Sequence, residues 1–215
     1  MRAAARRRPV DQRQAVTRLT VLDFGMGNLR SVAKALERVG ADVEVAADVS
    51  RDADALVVPG QGAFGSCLVN LGPGRQDAIK RWIADGRPYL GICLGLQVLF
   101  SASEEGGGGG LEVLGGKVVR FPGDVKVPHI GWNEVTPRRD APLFRGIAPA
   151  TRFYFCHSFY PDAPSGVVSA TSDYGVEFCC AAWRDNVHAV QFHPEKSGEP
   201  GLALLRNFVE EVRAA

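Results

Sequence analysis

The sequence has no apolar run of the ~18 residues that a membrane-spanning helix needs, which excludes an integral membrane protein. It also has no Cys-x-x-Cys pair, and its five cysteines are an odd number in a chain too large to need disulfide staples. Cysteine usage therefore predicts a reducing, cytoplasmic environment. Lone cysteines are usually small buried apolar residues, so a chemical role for any of them must come from its local context.

Signatures of common cofactors are missing as well. Gly25-Met26-Gly27 lacks the third glycine of a dinucleotide-binding fingerprint, and no Gly-x-x-x-x-Gly-Lys phosphate loop occurs. No two of the four histidines have the spacing of metal ligands together with a third cysteine or acid. The sequence therefore predicts neither a cofactor nor a metal.

Basic and acidic residues are nearly balanced in number, except at the amino terminus. The formal net charge is +1, but six arginines and only one acid lie in residues 1–18, so the rest of the chain has a small acidic excess. A slightly acidic body is a poor nucleic-acid binder. The basic segment has no serine, no apolar helical face and no apolar core of a secretory signal. Residues 1–17 are therefore predicted to be a disordered extension, and residues 18–215 a single domain.

The apolar periodicity of the domain predicts alternating strands and helices in its first half and added strands in its second half. Strands are expected at 19–24, 41–46, 55–58 and 89–92, and helices at 29–39, 77–84 and 94–100. Five glycines at 106–110 predict a flexible loop. β segments then follow at 117–121, 152–155, 167–170, 178–183 and 187–192, before a closing helix at 202–212. The fold class is α/β with three layers, a mostly parallel central sheet flanked by helices and antiparallel strands added late.

Cys93 lies in Gly91-Ile92-Cys93-Leu94-Gly95, between an apolar strand and a helix. This is the pattern of a nucleophile elbow with cysteine in the serine position, in which flanking glycines relieve the crowding of a sharp turn. The start of the helix favours the thiolate form, and the backbone N–H of Leu94 is expected to face a developing oxyanion. The alternative is a buried core cysteine with incidental glycines.

His193 is the best candidate for the base that such a thiol requires. It follows the strand at 187–192, and strand ends are where open α/β sheets carry functional groups. Glu195 is placed to hold the imidazole in one tautomer. The alternatives are a capping histidine and a solvated acid, but with Cys93 these residues predict a cysteine–histidine–glutamate triad. Of the other histidines, His129 and His157 are expected in the core and His188 at the surface.

These segments together resemble the class I, or triad, glutamine amidotransferases, and more narrowly the glutaminase subunits of imidazole glycerol phosphate synthase. The elbow and the His193-Pro194-Glu195 segment mark the wider superfamily. The narrower likeness rests on three further segments in the right order, and the resemblance covers essentially all of residues 18–213. Those segments are Asp23-Phe24-Gly25-Met26-Gly27-Asn28-Leu29-Arg30-Ser31, Val127-Pro128-His129-Ile130-Gly131-Trp132-Asn133 and Tyr154-Phe155-Cys156-His157-Ser158-Phe159.

The resemblance implies a glutaminase that uses the triad and no cofactor. Cys93 attacks the side-chain amide carbon of glutamine, His193 protonates the leaving ammonia and then activates water, and Glu195 orients His193. The matching positions of an oxyanion loop, whose peptide flips on a signal from the partner, are Gly60, Gln61 and Gly62, beside Leu94. The matching substrate-binding positions are Gln97, Glu105 for the α-ammonium, and the backbone of His157, Ser158 and Phe159.

The resemblance also implies a partner. Ammonia must pass to a synthase (cyclase) subunit with a (β/α)₈ barrel in a one-to-one heterodimer, because bulk water would protonate it. The barrel uses the ammonia to make imidazole glycerol phosphate and aminoimidazole carboxamide ribotide in histidine biosynthesis. Interface positions are Asn28, Trp132, Asn133, Tyr154 and Lys196, although on their own the two aromatics would be taken for core residues and the lysine for a solvated one.

Two departures from the family pattern leave alternatives open. Gln61 stands where valine is usual, which bears on how readily the oxyanion loop flips. Gly110-Leu111-Glu112 stands where Gly-Leu-Gly is usual, and this is interpreted as loop variation away from the chemistry. The alternatives are a glutaminase subunit of another pathway, a stand-alone γ-glutamyl hydrolase, or a non-enzymatic binding subunit on the same fold.

Overall fold

The computed structural model describes residues 16–215, which form eleven strands and four α-helices. The strands are β1 (Arg18–Leu22), β2 (Asp42–Ala46), β3 (Ala55–Gly60), β4 (Tyr89–Cys93), β5 (Lys117–Arg120), β6 (His129–Pro137), β7 (Thr151–His157), β8 (Phe159–Asp162), β9 (Val168–Asp173), β10 (Glu177–Arg184) and β11 (Val187–Val190). The helices are α1 (Leu29–Arg38), α2 (Phe64–Ala84), α3 (Leu94–Gln97) and α4 (Gly198–Ala214).

Nine strands form one sheet in the order β2-β1-β3-β4-β11-β10-β9-β6-β7. The first five run parallel, and from β11 to β7 every pairing is antiparallel. Strands β5 and β8 form a separate antiparallel pair. The predicted α/β architecture, with helices on both faces and antiparallel strands added from the second half of the chain, is confirmed. The sheet is mixed and not mostly parallel, since four of its pairings are parallel and four are antiparallel.

Helices cover both faces of the sheet, because strands of the parallel half carry apolar residues on both sides. On one face, Leu19 and Val21 pack in a cluster with residues of α1 and α4, including Phe208. On the other face, Leu56 and Val58 belong to a cluster with residues of α2. Burial on both faces explains why these strands are continuous apolar runs instead of alternating patterns.

Helix α2 is longer than the sequence predicts, since it begins at Phe64 and not at residue 77. Gly72 has non-helical dihedral angles (φ 64°, ψ 164°) and Pro73 follows it, so the helix is kinked there. The glycine and proline hide the helical period of the first half, which is why the sequence predicts only the second. Strands β6 and β8 were likewise expected only as motif-bearing segments.

The folded chain includes Thr17, one residue before the predicted domain start. Thr17 is buried, its carbonyl accepts from Asp42 N at 2.8 Å, and its hydroxyl accepts from Arg213 Nε at 2.8 Å. Val16, the other described residue of the predicted extension, has an exposed side chain, and residues 1–15 lie outside the described residues. Within residues 16–215, no helix is both long and apolar enough to cross a bilayer.

Candidate active site

Cys93 ends β4 and precedes α3 in a strained backbone conformation, with φ 57° and ψ −108°. The flanking glycines permit this turn. A Cβ on Gly91 would lie 2.3 Å from the carbonyl oxygen of Gly95, and one on Gly95 would lie 1.8 Å from that of Val58. Positive φ at a non-glycine residue costs of order 1–3 kcal/mol and is concentrated at functional sites. The geometry is that of a nucleophile elbow.

The helix after the elbow is shorter than the sequence predicts. It is regular only over Leu94–Gln97, and residues 98–100 form a turn. A single turn sums few peptide dipoles, so its N-terminus contributes little to stabilising a thiolate. Side chains around the sulfur must therefore supply that stabilisation.

His193 and Glu195 face each other beyond the end of β11. His193 Nδ1 lies 2.9 Å from Glu195 Oε1, and both side chains are buried, with 7% and 1% of their surface exposed. Burial on its own lowers the pKa of His193, but hydrogen bonds to Cys93 and Glu195 and the charges of both raise it to about 10. An imidazole in this state is charged at neutral pH and is hydrogen-bonded to the Cys93 sulfur.

The His193 segment is fixed to the antiparallel half of the sheet. His193 N donates to Tyr154 O at 2.9 Å, and Ser197 Oγ donates to His193 O at 2.6 Å. Tyr154 N in turn donates to Ser197 Oγ at 3.0 Å. The short 3₁₀ turn Pro194–Lys196 is therefore held from both sides, and Glu195 is carried into position by it.

The predicted oxyanion loop lies directly beside the elbow. Gly60, at the end of β3, pairs in register with Cys93. A Cβ on Gly60 would approach Leu94 Cβ to 2.8 Å, so only glycine allows the two segments this close. Gly62 has φ +103° and packs near Met26 Cε. Gln61 and Gly62 are exposed, and both line the same cavity as Cys93.

A cavity of about 260 Å³ joins these elements, a size suited to a small metabolite. Its walls include Cys93, His193, two of the three predicted loop residues (Gln61 and Gly62) and all the predicted substrate-binding residues. The full set among those predictions is Gln61, Gly62, Cys93, Leu94, Gln97, Glu105, His157, Ser158, Phe159, His193 and Lys196. Residues separated by up to 135 positions in the chain are thus brought to one site.

Glu105 links the cavity to the start of α2. Its Oε2 accepts from Phe64 N at 2.7 Å, which satisfies one free donor of that helix. The glycine-rich loop that follows is not free: a Cβ on Gly107 would lie 2.1 Å from Gly65 Cα. Close backbone packing of Gly107 against Gly65 of α2 therefore holds this part of the loop next to Glu105.

Known proteins resemble this chain in sequence over most of its length. Residues 20–212 match the family model described as glutamine amidotransferase class-I. The imidazole glycerol phosphate synthase subunit HisH of Methanothermobacter thermautotrophicus is 51% identical over 199 residues, covering 91% of this chain and all of the relative. The HisH subunit of Syntrophotalea carbinolica is 51% identical over 203 residues, covering 88% and 98%.

The chain belongs to the HisH family of class I glutamine amidotransferases. Solved structures of low identity agree on the fold alone. The structure of PurLQS from Thermotoga maritima has a TM-score of 0.73 at 19% identity, covering 90% of this chain and 97% of that one. A crystal structure titled as a glutamine amidotransferase has a TM-score of 0.70 at 20% identity, covering 92% and 99%.

The residues expected at a partner interface of this HisH-family chain are divided between the surface and the interior. Trp132 is 54% exposed and packs edge-on against Tyr154, with ring centroids 6.3 Å apart. Lys196 Nζ lies 5.7 Å from the centre of the Tyr154 ring. Asn28 is exposed and caps α1, accepting weakly from Ser31 N at 3.4 Å. We call Trp132, Tyr154 and Lys196 the aromatic patch.

Asn133 instead directs its amide inward. Its Nδ2 donates to Asp173 O at 2.7 Å and lies 3.3 Å from His129 Nε2. His129 Nδ1 lies 3.0 Å from His157 Nε2, and His157 Nδ1 lies 2.8 Å from Phe159 O. Burial lowers the pKa of His129 to about 4 and that of His157 to about 3, so both rings are neutral. Both belong to the core, as expected.

His188 is also buried, which corrects the expectation that it is exposed. It lies within β11, a central strand covered on both faces, where it stacks on Trp183 and meets the edge of Phe208. Burial lowers its pKa to about 4. The expectation placed His188 ahead of the final strand, whereas it lies inside a central strand that has no exposed face.

Sequence reasoning did not assign Pro128 and Cys156 of the cavity wall to the site, and it also missed Gln191. Gln191 is fully buried between β11 and His193, and its Nε2 lies 3.6 Å from Cys93 Sγ. It stands in the same segment as His193 and Glu195, so the motif was noticed without it. The available signal was a glutamine at the end of an otherwise apolar strand.

A larger cavity of about 600 Å³ lies beside β8, β9 and β10. Arg138 pairs there with Glu177, and Arg139 donates to the carbonyls of Gly166 and Trp183. Burial raises the pKa of the Cys179 thiol to about 12. This cavity therefore has no activated nucleophile. Within residues 16–215, no three His, Cys, Asp or Glu side chains meet as a metal site.

Proposed function

We propose that this chain hydrolyses glutamine to glutamate and ammonia with Cys93 as the nucleophile. The observation that carries the proposal is that Cys93, on a strained backbone, shares one cavity with His193, which is paired with the buried Glu195. An elbow of this kind without a base would be structural, and the histidine supplies the base. Membership of a glutamine amidotransferase family identifies the substrate class.

The reaction follows from the placement of these groups. Cys93 Sγ, as thiolate, attacks the side-chain amide carbon, and the oxyanion that forms is held by the N–H of Leu94 and by the backbone of Gly60–Gly62. His193 gives its proton to the leaving nitrogen, which departs as ammonia and leaves a γ-glutamyl thioester. His193 then takes a proton from water, whose oxygen attacks the thioester and releases glutamate and the thiolate. Glu195 keeps the imidazole oriented throughout.

Substrate selection is assigned to the rest of the cavity wall. Gln97 and the backbone of His157, Ser158 and Phe159 hold the amino-acid end of glutamine, and Glu105 pairs with its α-ammonium. The free oxygen of the Glu105 carboxylate suits this role, because the other oxygen already accepts from Phe64 N. A charge-assisted pair of this kind distinguishes a free amino acid from a glutamine within a peptide.

The ammonia passes to a cyclase subunit with a (β/α)₈ barrel in a cytoplasmic heterodimer, which uses it in histidine biosynthesis. The names of the HisH relatives, each a subunit of imidazole glycerol phosphate synthase, support this assignment. The aromatic patch fits the contact surface, since its Lys196 also lines the cavity. Exposed apolar rings next to an active site are typical of interfaces.

The first experiment measures glutamate release by the chain alone, with the cyclase subunit, and with that subunit plus its ribotide ligand. We expect near silence alone and strong activity in the liganded complex. High activity of the free chain would mean that the oxyanion loop, with Gln61 in place of valine, flips without a signal from the partner, or that the chain is a stand-alone hydrolase. Silence in all three states would indicate a non-enzymatic binding subunit.

The nucleophile is tested in the liganded complex with Cys93→Ala, which we expect to abolish glutamate release. Cys67→Ala is the matched control, because it also removes a buried thiol, one whose pKa burial raises to about 12. That variant should retain activity. A Cys93→Ala complex that still releases glutamate at the parent rate would contradict the assignment of Cys93 as the nucleophile.

A further inference from the structure

Gln191 occupies a position that no packing requirement explains. It is a fully buried polar side chain, and a buried amide is costly unless its donors and acceptors are satisfied. Its backbone is fixed, since its N–H donates to Cys180 O at 2.8 Å. The side chain extends toward the elbow and reaches two residues, Gln97 and Cys93.

The orientation of its amide is determined by a chain of contacts that begins at Phe159. The carbonyl oxygen of Phe159 can only accept, so Gln97 must turn its Nε2 toward it, at 3.0 Å. The second hydrogen of Gln97 Nε2 then meets Gln191 Oε1 at 2.9 Å. With its oxygen so engaged, Gln191 has its Nε2 facing Cys93 Sγ at 3.6 Å.

The Phe159 carbonyl is itself held in place. His157 Nδ1 lies 2.8 Å from it, and a neutral ring must place its proton on that nitrogen because a carbonyl cannot donate. His157 Nε2 is then an acceptor, and it accepts a hydrogen bond from His129 Nδ1 at 3.0 Å. Every donor and acceptor along this line has one possible direction, and the line ends at the sulfur of Cys93.

We propose that Gln191 is a further catalytic residue, whose amide N–H donates to the Cys93 sulfur and stabilises the thiolate. The inference rests on Cys93 being the nucleophile. A sulfur anion accepts hydrogen bonds far better than a neutral thiol, so a fixed donor favours the ionised state. The short α3 supplies little of this stabilisation, and Gln191 adds a neutral donor to that of His193. Because Gln97 holds the amide, the donor needs no rearrangement when the thiolate forms.

Two variants remove the donor in different ways. Gln191→Met has similar length and no N–H, and Gln191→Glu keeps an acceptor for Gln97 while placing an oxygen where the donor was. Gln76→Glu is the matched control, because Gln76 donates only to Leu68 O, away from the site. Thermal unfolding of each variant identifies those that fold.

The first measurement is the pH dependence of Cys93 alkylation by iodoacetamide in the complex, resolved from the exposed Cys156 by peptide mass spectrometry. The midpoint should rise by about one pH unit in Gln191→Met, the size expected for losing one hydrogen bond to an anion. It should rise further in Gln191→Glu, whose carboxylate also repels the thiolate. It should not move in Gln76→Glu. An unmoved midpoint in a folded Gln191 variant overturns the proposal.

The second measurement separates catalysis from substrate binding. In the liganded complex, kcat should fall at least about tenfold while KM stays within about threefold. A higher KM with kcat unchanged would mean that Gln191 only supports the cavity wall, and the proposal would fail. Alkylation measures the Cys93 sulfur without any turnover, so it tests the role of Gln191 by itself. The proposed function is tested separately, because an active Cys93→Ala complex would contradict it.

Discussion

At the scale of single residues, the state of His193 decides how the site responds to pH. Its pKa is raised to about 10 despite burial, through hydrogen bonds to Cys93 and Glu195 and their charges. Glu195→Gln removes one of these charges, so the imidazolium should be lost at lower pH and the basic limb of the kcat profile should move down. We expect kcat to fall at least about a hundredfold. Glu199→Gln, an exposed acid on the next helix, should leave the pH profile of kcat as it is.

The three residues of the proposed triad could be identified in the sequence because each lies in a short local pattern. Cys93 is bracketed by glycines that the turn requires, and His193 and Glu195 are two residues apart. The role of Gln191 could not be predicted, because its amide orientation depends on Gln97 and Phe159, which only the fold brings together. Position in a motif identifies a residue, whereas hydrogen-bond direction needs the three-dimensional neighbours.

At the scale of elements, the glycine-rich loop and α2 act as one unit. Gly107→Ala should force the loop off Gly65, displace Glu105 and raise KM for glutamine about tenfold, with kcat less affected. Gly108→Ala is the matched control: it has nearly the same positive φ, +94° against +95°, but a Cβ there meets nothing within 4 Å. Equal effects of the two substitutions on KM would show that backbone strain, not the contact with Gly65, is responsible.

Helices and strands with an uninterrupted apolar periodicity were predicted well, whereas those whose periodicity is interrupted were not. Helix α1 was expected at 29–39 and spans Leu29–Arg38. The first half of α2 was missed because Gly72 and Pro73 break the period at a kink that packing tolerates. In β6, a nine-residue strand, exposed apolar residues such as Ile130 and Trp132 obscured the alternation.

At the scale of the whole molecule, three buried neutral histidines make folding sensitive to acid. His129, His157 and His188 have pKa values lowered by burial to about 4, 3 and 4, against 6.5 when unfolded. Between those values the unfolded chain binds more protons, so stability falls as pH falls below 6.5. Each should cost about 2 kcal/mol between pH 7 and pH 5, measured by urea unfolding at the two values.

One substitution isolates a single histidine in that experiment. His188 Nδ1 is buried without a partner, so His188→Leu removes the titrating group and no hydrogen bond of that nitrogen. The difference in unfolding free energy between pH 7 and pH 5 should shrink by about 2 kcal/mol. If it does not shrink, His188 keeps its ordinary pKa in the folded chain.

Association with the cyclase subunit should depend on the aromatic patch. Trp132→Ala is expected to weaken the complex at least about tenfold, since large exposed aromatic rings are frequent hot spots. Val69→Ala is the control, an apolar residue that is 79% exposed on α2. Titration followed by calorimetry measures both, and equal affinities would place the interface elsewhere.

Strands β3, β4 and β11 are neighbours at the middle of the sheet, and each ends at the site: the loop after Gly60, Cys93 itself, and the segment that carries His193. The reacting atoms are therefore anchored in the buried middle of the sheet, where we expect local unfolding to be least frequent. The outer strands and surface loops can unfold locally without displacing them. Any switching of activity must then act on the loops that the strands hold, because the frame beneath them is the least deformable part of the protein.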